Sequence, residues 1–290
     1  MAASGKTLRQ LMAAHGPLVV PFAFDALSAR LIERAGFSAV GVSGSGVAAS
    51  LFAVPDIGLP SMAEVARQVA NIADATDLPV IADADNGYGN HVNVWRTVRE
   101  FEKAGAAGLF IEDQQHPKRC GHYEGVKVVP AEEMVSKVRA AVAARRSAEF
   151  VIVARTDARQ SVGFDEAVRR GRLYREAGAD VVFVEAPCTR EELAALPKLI
   201  DAPLMVNMVE GGKTPILDPA SLGAMGYSIV IWPDTALAAA ARAMERALAC
   251  LRTNGTSDGV AGDLMSFEEM RTLLRHEEYG KLDRRFGPQP

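Results

Sequence analysis

The amino-acid sequence predicts an α/β protein: a closed (β/α)8 barrel of the TIM type with extra C-terminal helices. Two observations support this fold class. Short apolar runs alternate with longer amphipathic segments, and eight such runs are present. Continuous apolar strands that alternate with helices indicate a parallel sheet covered on both faces. Eight units fit a closed barrel better than a doubly wound sheet, which usually has about five or six strands.

Each apolar run is predicted to be a strand, and the segment after it a helix. The runs are LVVPFAF (18–24), AVGVSG (39–44), LPVIADAD (78–85), AGLFIED (107–113), FVIVARTD (150–157), DVVFVEA (180–186), PLMVNM (203–208) and SIVIWP (228–233). SMAEVARQVANIADAT and NVWRTVREFEKAG are typical helical segments between them. Glycines in KAGAAG and REAGAD stand where helices are expected to end.

The chain beyond the eighth unit has no further strand. TNGTSDGVAGD is a polar break, and SFEEMRTLLRHEEYGKLDRRF predicts one or two helices opened by the capping box SFEE. We therefore expect residues 1–290 to form one barrel domain, with 254–290 as a helical extension. This extension is expected to pack either on a neighbouring subunit or across the bottom of its own barrel.

Composition limits the function classes. A chain of 290 residues with 49% hydrophobic and 23% charged residues is expected to be globular. A net charge of -4 without a basic tail argues against nucleic-acid or membrane binding. The sequence shows no signal peptide and no run of ~20 apolar residues. Cys120, Cys188 and Cys250 form neither an even disulfide set nor a CxxC pair. These features predict a cytoplasmic protein whose partners are small molecules or other subunits.

Polar residues stand at the ends of six predicted strands: Ser43 and Ser45, Asp83 and Asp85, Glu112 and Asp113, Arg155 and Asp157, Glu185, and Asn207 and Glu210. Any one of them alone would be typical of a helix cap or a loop contact. In a (β/α)8 barrel, however, the active site lies at the carboxyl ends of the strands. Their side chains are therefore expected to meet at the barrel mouth.

Two of these carboxylates suggest a metal site. Asp83 and Asp85 are two residues apart, so in a regular strand they point the same way. Glu112 adds an oxygen donor from the next strand, and carboxylates with water suit Mg2+ or Mn2+. One alternative is that Asp85 caps the following helix. Another is a zinc site formed by His116, Cys120 and His122, although their spacing matches no familiar finger pattern.

The stretch EDQQHPKRCGHYEG (112–125) begins an unusually long connection. No helical or strand period is visible from Gln114 to Val129, whereas such loops usually take about 2 to 6 residues. This length is typical of a lid or binding loop. SGSG (43–46) could offer backbone amides to an anionic substrate oxygen. Neither GxGxxG nor GxxxxGK[ST] is present, so nucleotide binding has no support.

Four motifs together resemble the isocitrate lyase and phosphoenolpyruvate mutase superfamily: DADNGYGN, PKRCGH, VARTDA and NMVEGGKTP, after strands three, four, five and seven. The similarity runs from about Leu8 to Arg252. The cysteine loop resembles that of the carbon–carbon lyase branch, which includes 2-methylisocitrate lyase and 2,3-dimethylmalate lyase. The resemblance implies a Mg2+-dependent enzyme, with Mn2+ able to substitute. It would cleave a 2-hydroxy di- or tricarboxylate into a 2-oxo acid such as pyruvate and a second carboxylate.

The resemblance also implies roles for individual residues. Asp83, Asp85 and Glu112 would hold Mg2+ directly or through water, and Ser43, Gly44 and Ser45 the carboxylate of the 2-oxo acid half. Arg155 would bind or polarise substrate oxygens, with Glu185 and Asn207 lining the site. A gating loop would carry Lys118, Arg119, Cys120, Gly121 and His122. Cys120 would protonate the departing fragment, its pKa lowered by its basic neighbours. Members of the superfamily form tetramers that exchange their terminal helices, so a homotetramer is expected.

One position departs from the family pattern. Several lyases of the family carry a tyrosine, a candidate base, two residues before the position of Ser43, where this chain has Gly41. Tyr88 is a substitute candidate for the base. Two related activities stay open, namely oxaloacetate hydrolase and carboxyphosphonoenolpyruvate phosphonomutase. So does a barrel that binds a dicarboxylate without turning it over.

Overall fold

The computed structural model describes residues 7–288 and contains a closed barrel of eight parallel strands. The strands are β1 Leu18–Ala23, β2 Val40–Val42, β3 Val80–Asp83, β4 Gly108–Glu112, β5 Val151–Thr156, β6 Val181–Val184, β7 Leu204–Asn207 and β8 Ile229–Trp232. Each strand pairs with the next along the chain, and β8 pairs with β1 from Leu18↔Ile229 to Pro21↔Trp232. The predicted (β/α)8 fold is therefore confirmed.

Helices alternate with these strands along the chain, and further helices follow the last strand. In chain order they are α1 Leu8–Met12, α2 Ala26–Arg34, α3 Gly44–Phe52, α4 Met62–Ala75, α5 His91–Lys103, α6 Ala131–Ala144, α7 Ala158–Ser161, α8 Phe164–Glu176, α9 Arg190–Leu199, α10 Pro219–Met225, α11 Thr235–Asn254, α12 Phe267–Leu273 and α13 His276–Phe286, with a 3-10 helix at Asp258–Asp263. The sequence reading missed the short helices α3 and α7. Both begin within two residues of a strand end, so they form part of the barrel mouth.

The core has two layers. Inside the barrel, alternate strand residues such as Val20, Phe22, Phe110 and Phe183 pack together, and α1 adds Leu8 to this cluster. A β-carbon on Gly108, the first residue of β4, would lie 3.2 Å from Leu8 Cδ2, so α1 covers the amino-terminal end of the barrel. The outer layer lies between strands and helices. The carboxyl ends of the strands are thereby left as the end that can open to a ligand.

Two compact units make up the described chain: one up to Leu237, which contains the barrel, and one from Ala238 onward. The second unit consists of most of α11, the 3-10 helix, α12 and α13. This unit begins before residue 254, the predicted start of the helical extension. The division into one barrel domain with an extension over 254–290 stays a prediction. Within residues 7–288, no helix is both long and apolar enough to cross a membrane.

Candidate active site

The carboxyl ends of the strands surround a small, partly enclosed cavity. Ten predicted site residues line it: Ser43, Ser45, Asp83, Lys118, Cys120, Gly121, His122, Arg155, Glu185 and Asn207. Three others, Gly44, Asp85 and Glu112, are buried directly against these residues. Arg119 and Tyr88 are not among the described residues that line the cavity.

The SGSG segment forms the start of a helix. Ser43 follows β2 and caps α3, its Oγ accepting a hydrogen bond from Gly46 N at 3.0 Å. A β-carbon on Gly44 would lie only 2.8 Å from Asp83 Oδ2, so glycine is needed for α3 to approach the acids of β3. The first amides of a helix favour an anion. This end of the cavity therefore suits a substrate carboxylate.

The two acids after β3 are held by an unusual backbone. Asp85 has a left-handed φ of 47°, and its N–H donates to Asp83 Oδ1 at 2.9 Å. Asn90, not Asp85, caps α5, so the helix-cap alternative for Asp85 is wrong. Asp85 Oδ1 instead lies 2.8 Å from Lys118 Nζ. Burial raises the pKa of Asp83 to about 6, while Lys118 opposes this shift.

The fit of these acids to Mg2+ rests on their donor chemistry. Burial also raises the pKa of Glu112, although Arg155 acts against it, and Glu112 Oε1 is a buried atom without a hydrogen-bond partner. Within residues 7–288, no three His, Cys, Asp or Glu side chains are close enough to hold one metal ion together. Mg2+ usually binds through one or two carboxylates and several waters. The residues therefore fit a hydrated Mg2+ better than a cage of three direct protein ligands.

Arg155 is the centre of a buried ion cluster. Its Nε and Nη2 donate to the two carboxylate oxygens of Asp157 at 2.9 and 2.8 Å. Its Nη1 lies 3.2 Å from Glu185 Oε2, and Glu112 lies 3.4 Å from its Nε. Burial opposes ionisation of Glu185, but Arg155 and the adjacent His122 lower its pKa to about 2. The guanidinium is thus fixed in orientation at the cavity wall.

A further acid, Asp113, supports this cluster without contacting Arg155 itself. Asp113 follows Glu112, so its side chain points to the opposite face of the sheet. Its carboxylate accepts hydrogen bonds from Asp157 N at 2.9 Å, Thr156 Oγ1 at 2.7 Å and Tyr174 Oη at 2.7 Å. Asp113 therefore positions Asp157, which in turn orients Arg155.

The cysteine loop lies over the cavity and is attached on several sides. Lys118 Nζ donates to Asp56 Oδ1 at 2.5 Å, and Cys120 N donates to Asp56 O at 3.1 Å. Across the mouth, Lys213 N donates to His122 Nδ1 at 3.0 Å. A β-carbon on Gly121 would lie 2.5 Å from Arg155 Nη2, so only glycine lets the loop come this close to the ion cluster. The structure therefore shows the loop closed.

The expected effect of the basic neighbours on Cys120 is wrong. Burial raises the pKa of Cys120 to about 11. Lys118 forms ion pairs with Asp56 and Asp85, which neutralise its charge. Arg119 is exposed, and its backbone N–H and C=O form hydrogen bonds with the Gln114 side chain. The Arg119 side chain thus stands outside the site that the sequence predicted for it. The thiol of Cys120 stays protonated at neutral pH, as a proton donor requires.

Tyr88 does not fit the role of a base. It has a left-handed φ of 58° and packs against Phe101, with ring centroids 6.4 Å apart. Burial, followed by the charges of Asp85 and Asp83, raises its pKa well above the usual range. A phenol whose ionisation is opposed in this way is a poor proton acceptor. The zinc alternative has no geometric support, because within residues 7–288 His116, Cys120 and His122 do not form a group that could hold one metal ion.

Phe22 explains the absence of a side chain at position 41. The two residues are direct partners across β1 and β2. A β-carbon on Gly41 would lie 1.9 Å from Phe22 Cδ1, inside the ring's own volume. The ring of Phe22 lines the cavity beside Phe110. An apolar ring from β1 therefore stands where the resemblance would place a tyrosine from β2.

Sequence reasoning named neither of two cavity acids, although it pointed to the loop after the eighth strand, WPDTA, which contains Asp234. Asp56 lies in the loop after α3 and forms an ion pair with Lys118, which is 62 residues away in the sequence. Asp234 follows β8 and accepts a hydrogen bond from Ser45 Oγ at 2.9 Å; Ser45 Oγ is in turn 2.9 Å from Ser43 Oγ. Neither acid ends a predicted strand with a recognisable motif. Position after β8 was the only signal that could have identified Asp234.

Comparisons with known proteins agree with this geometry. The chain matches the phosphoenolpyruvate phosphomutase family over residues 8–252. It is 44% identical over 280 residues to 2,3-dimethylmalate lyase of Eubacterium barkeri, covering 97% of each chain. It is 43% identical over 279 residues to 2-methylisocitrate lyase of Aeropyrum pernix, covering 96% of this chain and 90% of the relative.

Solved structures give the same result. Oxaloacetate acetylhydrolase in complex with 3,3-difluorooxalacetate superposes with a TM-score of 0.93 at 34% identity, covering 99% of this chain and 98% of the other. 2,3-Dimethylmalate lyase superposes with a TM-score of 0.90 at 37% identity, covering 96% and 93%. Phosphonopyruvate hydrolase in complex with oxalate and Mg2+ gives a TM-score of 0.88 at 34% identity, covering 99% of both chains.

The barrel, the cysteine loop closed over its mouth and the extent of these similarities lead to one assignment. The chain belongs to the phosphoenolpyruvate phosphomutase family, within the isocitrate lyase and phosphoenolpyruvate mutase superfamily, and the lyases among its relatives support its identification as a carbon–carbon lyase.

Proposed function

We propose that this chain is a Mg2+-dependent lyase that cleaves a 2-hydroxy di- or tricarboxylate of the 2-methylisocitrate or 2,3-dimethylmalate type. The products are a 2-oxo acid such as pyruvate and a second carboxylate. One observation carries the proposal: the loop with Cys120 closes over a cavity that also contains Arg155 and Asp83. The cavity thus brings together a cation, a proton donor and a carboxylate of the kind that binds metal ions.

Substrate binding follows from the two ends of the cavity. The first amides of α3, at Gly44 and Ser45, suit the carboxylate next to C2. Arg155 is pre-oriented by Asp157 and offers a fixed positive charge to substrate oxygens. When bound near Asp83 and Asp85, Mg2+ would supply Lewis-acid polarisation of the forming C2 carbonyl.

The chain's own residues then account for the second product. A base at the cavity takes the proton of the 2-hydroxyl as C2 becomes a carbonyl, the C2–C3 bond breaks and its electron pair moves to C3; this proton later restores the thiol that has protonated C3. The thiol of Cys120 donates a proton to C3, and the closed loop excludes water while it does so. His122 of this loop has its Nε2 3.2 Å from Glu185 Oε1, and this contact limits the position of the loop.

A second candidate is hydrolysis of oxaloacetate. The TM-score of 0.93 with oxaloacetate acetylhydrolase supports this second candidate. The same cation, proton donor and carboxylates would act on a hydrated 2-oxo acid. Phosphonomutase chemistry ranks lower, because the cysteine loop is typical of the lyase branch.

The decisive experiment is a panel of 2-hydroxy di- and tricarboxylates incubated with Mg2+ and assayed for pyruvate or glyoxylate. Oxaloacetate is run in parallel with oxalate as the readout. Cleavage of a 2-hydroxy acid that stops with EDTA and returns with Mg2+ or Mn2+ supports the lyase. Release of oxalate alone would favour the hydrolase, and turnover that persists in EDTA would contradict the metal dependence.

A further inference from the structure

The cavity has an unequal distribution of charge. Its two lysine or arginine residues are Lys118, from the loop after β4, and Arg155, from β5, on one side of the mouth. Both are already paired, Lys118 with Asp56 and Asp85, and Arg155 with Asp157 and Glu185. An anionic group of the substrate can therefore find a cation only on that side, or at the metal.

The opposite side, formed by β8 and β1, is different. The described residues that line it are the apolar Phe22, Ile231 and Pro233, and the carboxylate of Asp234. None of them carries a positive charge. A substrate carboxylate directed toward this side would lose its hydration and meet a second carboxylate, which is unfavourable.

Asp234 is fixed in place. Ser45 Oγ donates to Asp234 Oδ1 at 2.9 Å, and this bond links it to Ser43 at the start of α3. Asp234 is half-buried, so solvent screens its charge only in part. It therefore lies one side chain away from the position proposed for the carboxylate next to C2.

We propose that Asp234 is a specificity-determining residue that restricts the site to dicarboxylates by rejecting a third carboxylate at the end of a substituent on C3. The inference rests on the proposed function and narrows its substrate class. Small apolar substituents on C3 face Phe22 and Ile231, whereas a carboxylate there faces Asp234. The site thus selects an acid of the dimethylmalate kind over one of the methylisocitrate kind.

The test is direct binding, which does not depend on turnover. Isothermal titration calorimetry with Mg2+ compares 2-methylsuccinate with propane-1,2,3-tricarboxylate, which share a succinate unit and differ by one carboxylate on its methyl substituent. Wild type is expected to bind the dicarboxylate at least ~10-fold more tightly. Asp234→Asn keeps the hydrogen bond from Ser45 and removes the charge, so it should reduce this preference about tenfold by strengthening the tricarboxylate.

Asp201→Asn is the matched control, because it removes the same charge at an exposed site before β7, at the other end of the barrel. It should leave the preference unchanged. An unchanged preference in Asp234→Asn, or a wild type that binds neither acid or prefers the tricarboxylate, would overturn the inference. If Asp234→Asn fails to fold, Asp234→Ser serves in its place. If no 2-hydroxy acid is cleaved, the proposed lyase activity is refuted. The ratio of the affinities for the dicarboxylate and the tricarboxylate still decides the role of Asp234.

Discussion

Phe22 and Gly41 are strand partners, and the ring of Phe22 occupies the space that any side chain at position 41 would require. The pair places an aromatic ring at the barrel mouth without a hydroxyl group. An aromatic residue on β1 and glycine on β2 therefore depend on each other.

This dependence predicts a coupling in stability. Gly41→Ala should lower the free energy of unfolding by about 1 to 3 kcal/mol through overpacking, and Phe22→Ala by about 3 to 5 kcal/mol through a cavity. In the double variant, the new methyl group enters the space left by the ring, so the combined loss should be smaller than the two losses added. Urea unfolding of the four proteins measures this coupling. Strict additivity would show that the two side chains do not compete for space.

Gly121 should be sensitive to a single methyl group. In Gly121→Ala, the β-carbon would approach Arg155 Nη2 and Glu185 Cγ to 2.5 and 2.6 Å, so the loop cannot close without moving the ion cluster. We expect kcat to fall ~10^2-fold, since a displacement of about 1 Å is enough for such a loss. Gly262→Ala is the control, because nothing lies within 4 Å of its β-carbon. Equal activity of the two variants would mean that loop closure does not need glycine.

Mg2+ binding should be visible as stabilisation. At 100 times its Kd, a ligand that binds only the folded state adds about 2.7 kcal/mol, so Mg2+ should raise the Tm of wild type. Asp85→Asn should remain folded, lose activity and lose this rise in Tm, whereas the exposed Asp201→Asn should retain both. Differential scanning calorimetry with and without Mg2+ measures the effect. A full Mg2+ shift in Asp85→Asn would exclude Asp85 from the metal site.

Cys120 should act as an acid and not as a thiolate. Serine is a much weaker acid of similar size, so Cys120→Ser should bind substrate normally and lose cleavage by ~10^2-fold or more. Steady-state kinetics and calorimetric titration of a substrate analogue separate these effects. A serine variant with the wild-type rate would mean that another group protonates C3.

The raised pKa of Cys120 provides an independent check. Iodoacetamide reacts with the thiolate, which forms only as the pH rises through about 11. Labelling of Cys120 should therefore be slow at pH 7 to 8 compared with a free thiol of pKa about 8.5, and it should increase up to pH 11. Peptide mass spectrometry with and without substrate follows this site. Rapid labelling at pH 7 would show that the thiol is already ionised.

The C-terminal unit should mediate a homotetramer. Phe267 is 85% exposed and Leu274 is 48% exposed, although both lie close to the buried Leu273. Burial of such side chains against another subunit would be favourable. Sedimentation at micromolar concentration should show a tetramer, and Phe267→Glu should dissociate it, whereas Glu268→Gln, next to it, should not. A wild type that sediments as a monomer would exclude this assembly.

The sequence alone determined the fold and the end of the barrel at which most of the candidate site residues lie. Eight apolar runs separated by amphipathic helices leave few alternatives to a closed parallel barrel. In such a barrel the carboxyl ends of the strands form a ring. Since Asp83, Arg155 and Glu185 lie at or near these ends, the sequence predicts that their side chains lie close together.

The tertiary structure decided the contacts that depend on loops and on neighbouring strands. Lys118 is neutralised by Asp56, which is distant in sequence, so the pKa of Cys120 rises where its basic neighbours predicted a fall. Phe22 fills the space beside Gly41 because the register of β1 and β2 makes them partners. Asp234 reaches Ser45 because β8 closes on β1. The physical reason is the same in each case: hydrophobic periodicity fixes the strands, whereas the charge and space around a side chain depend on residues that only chain closure brings near.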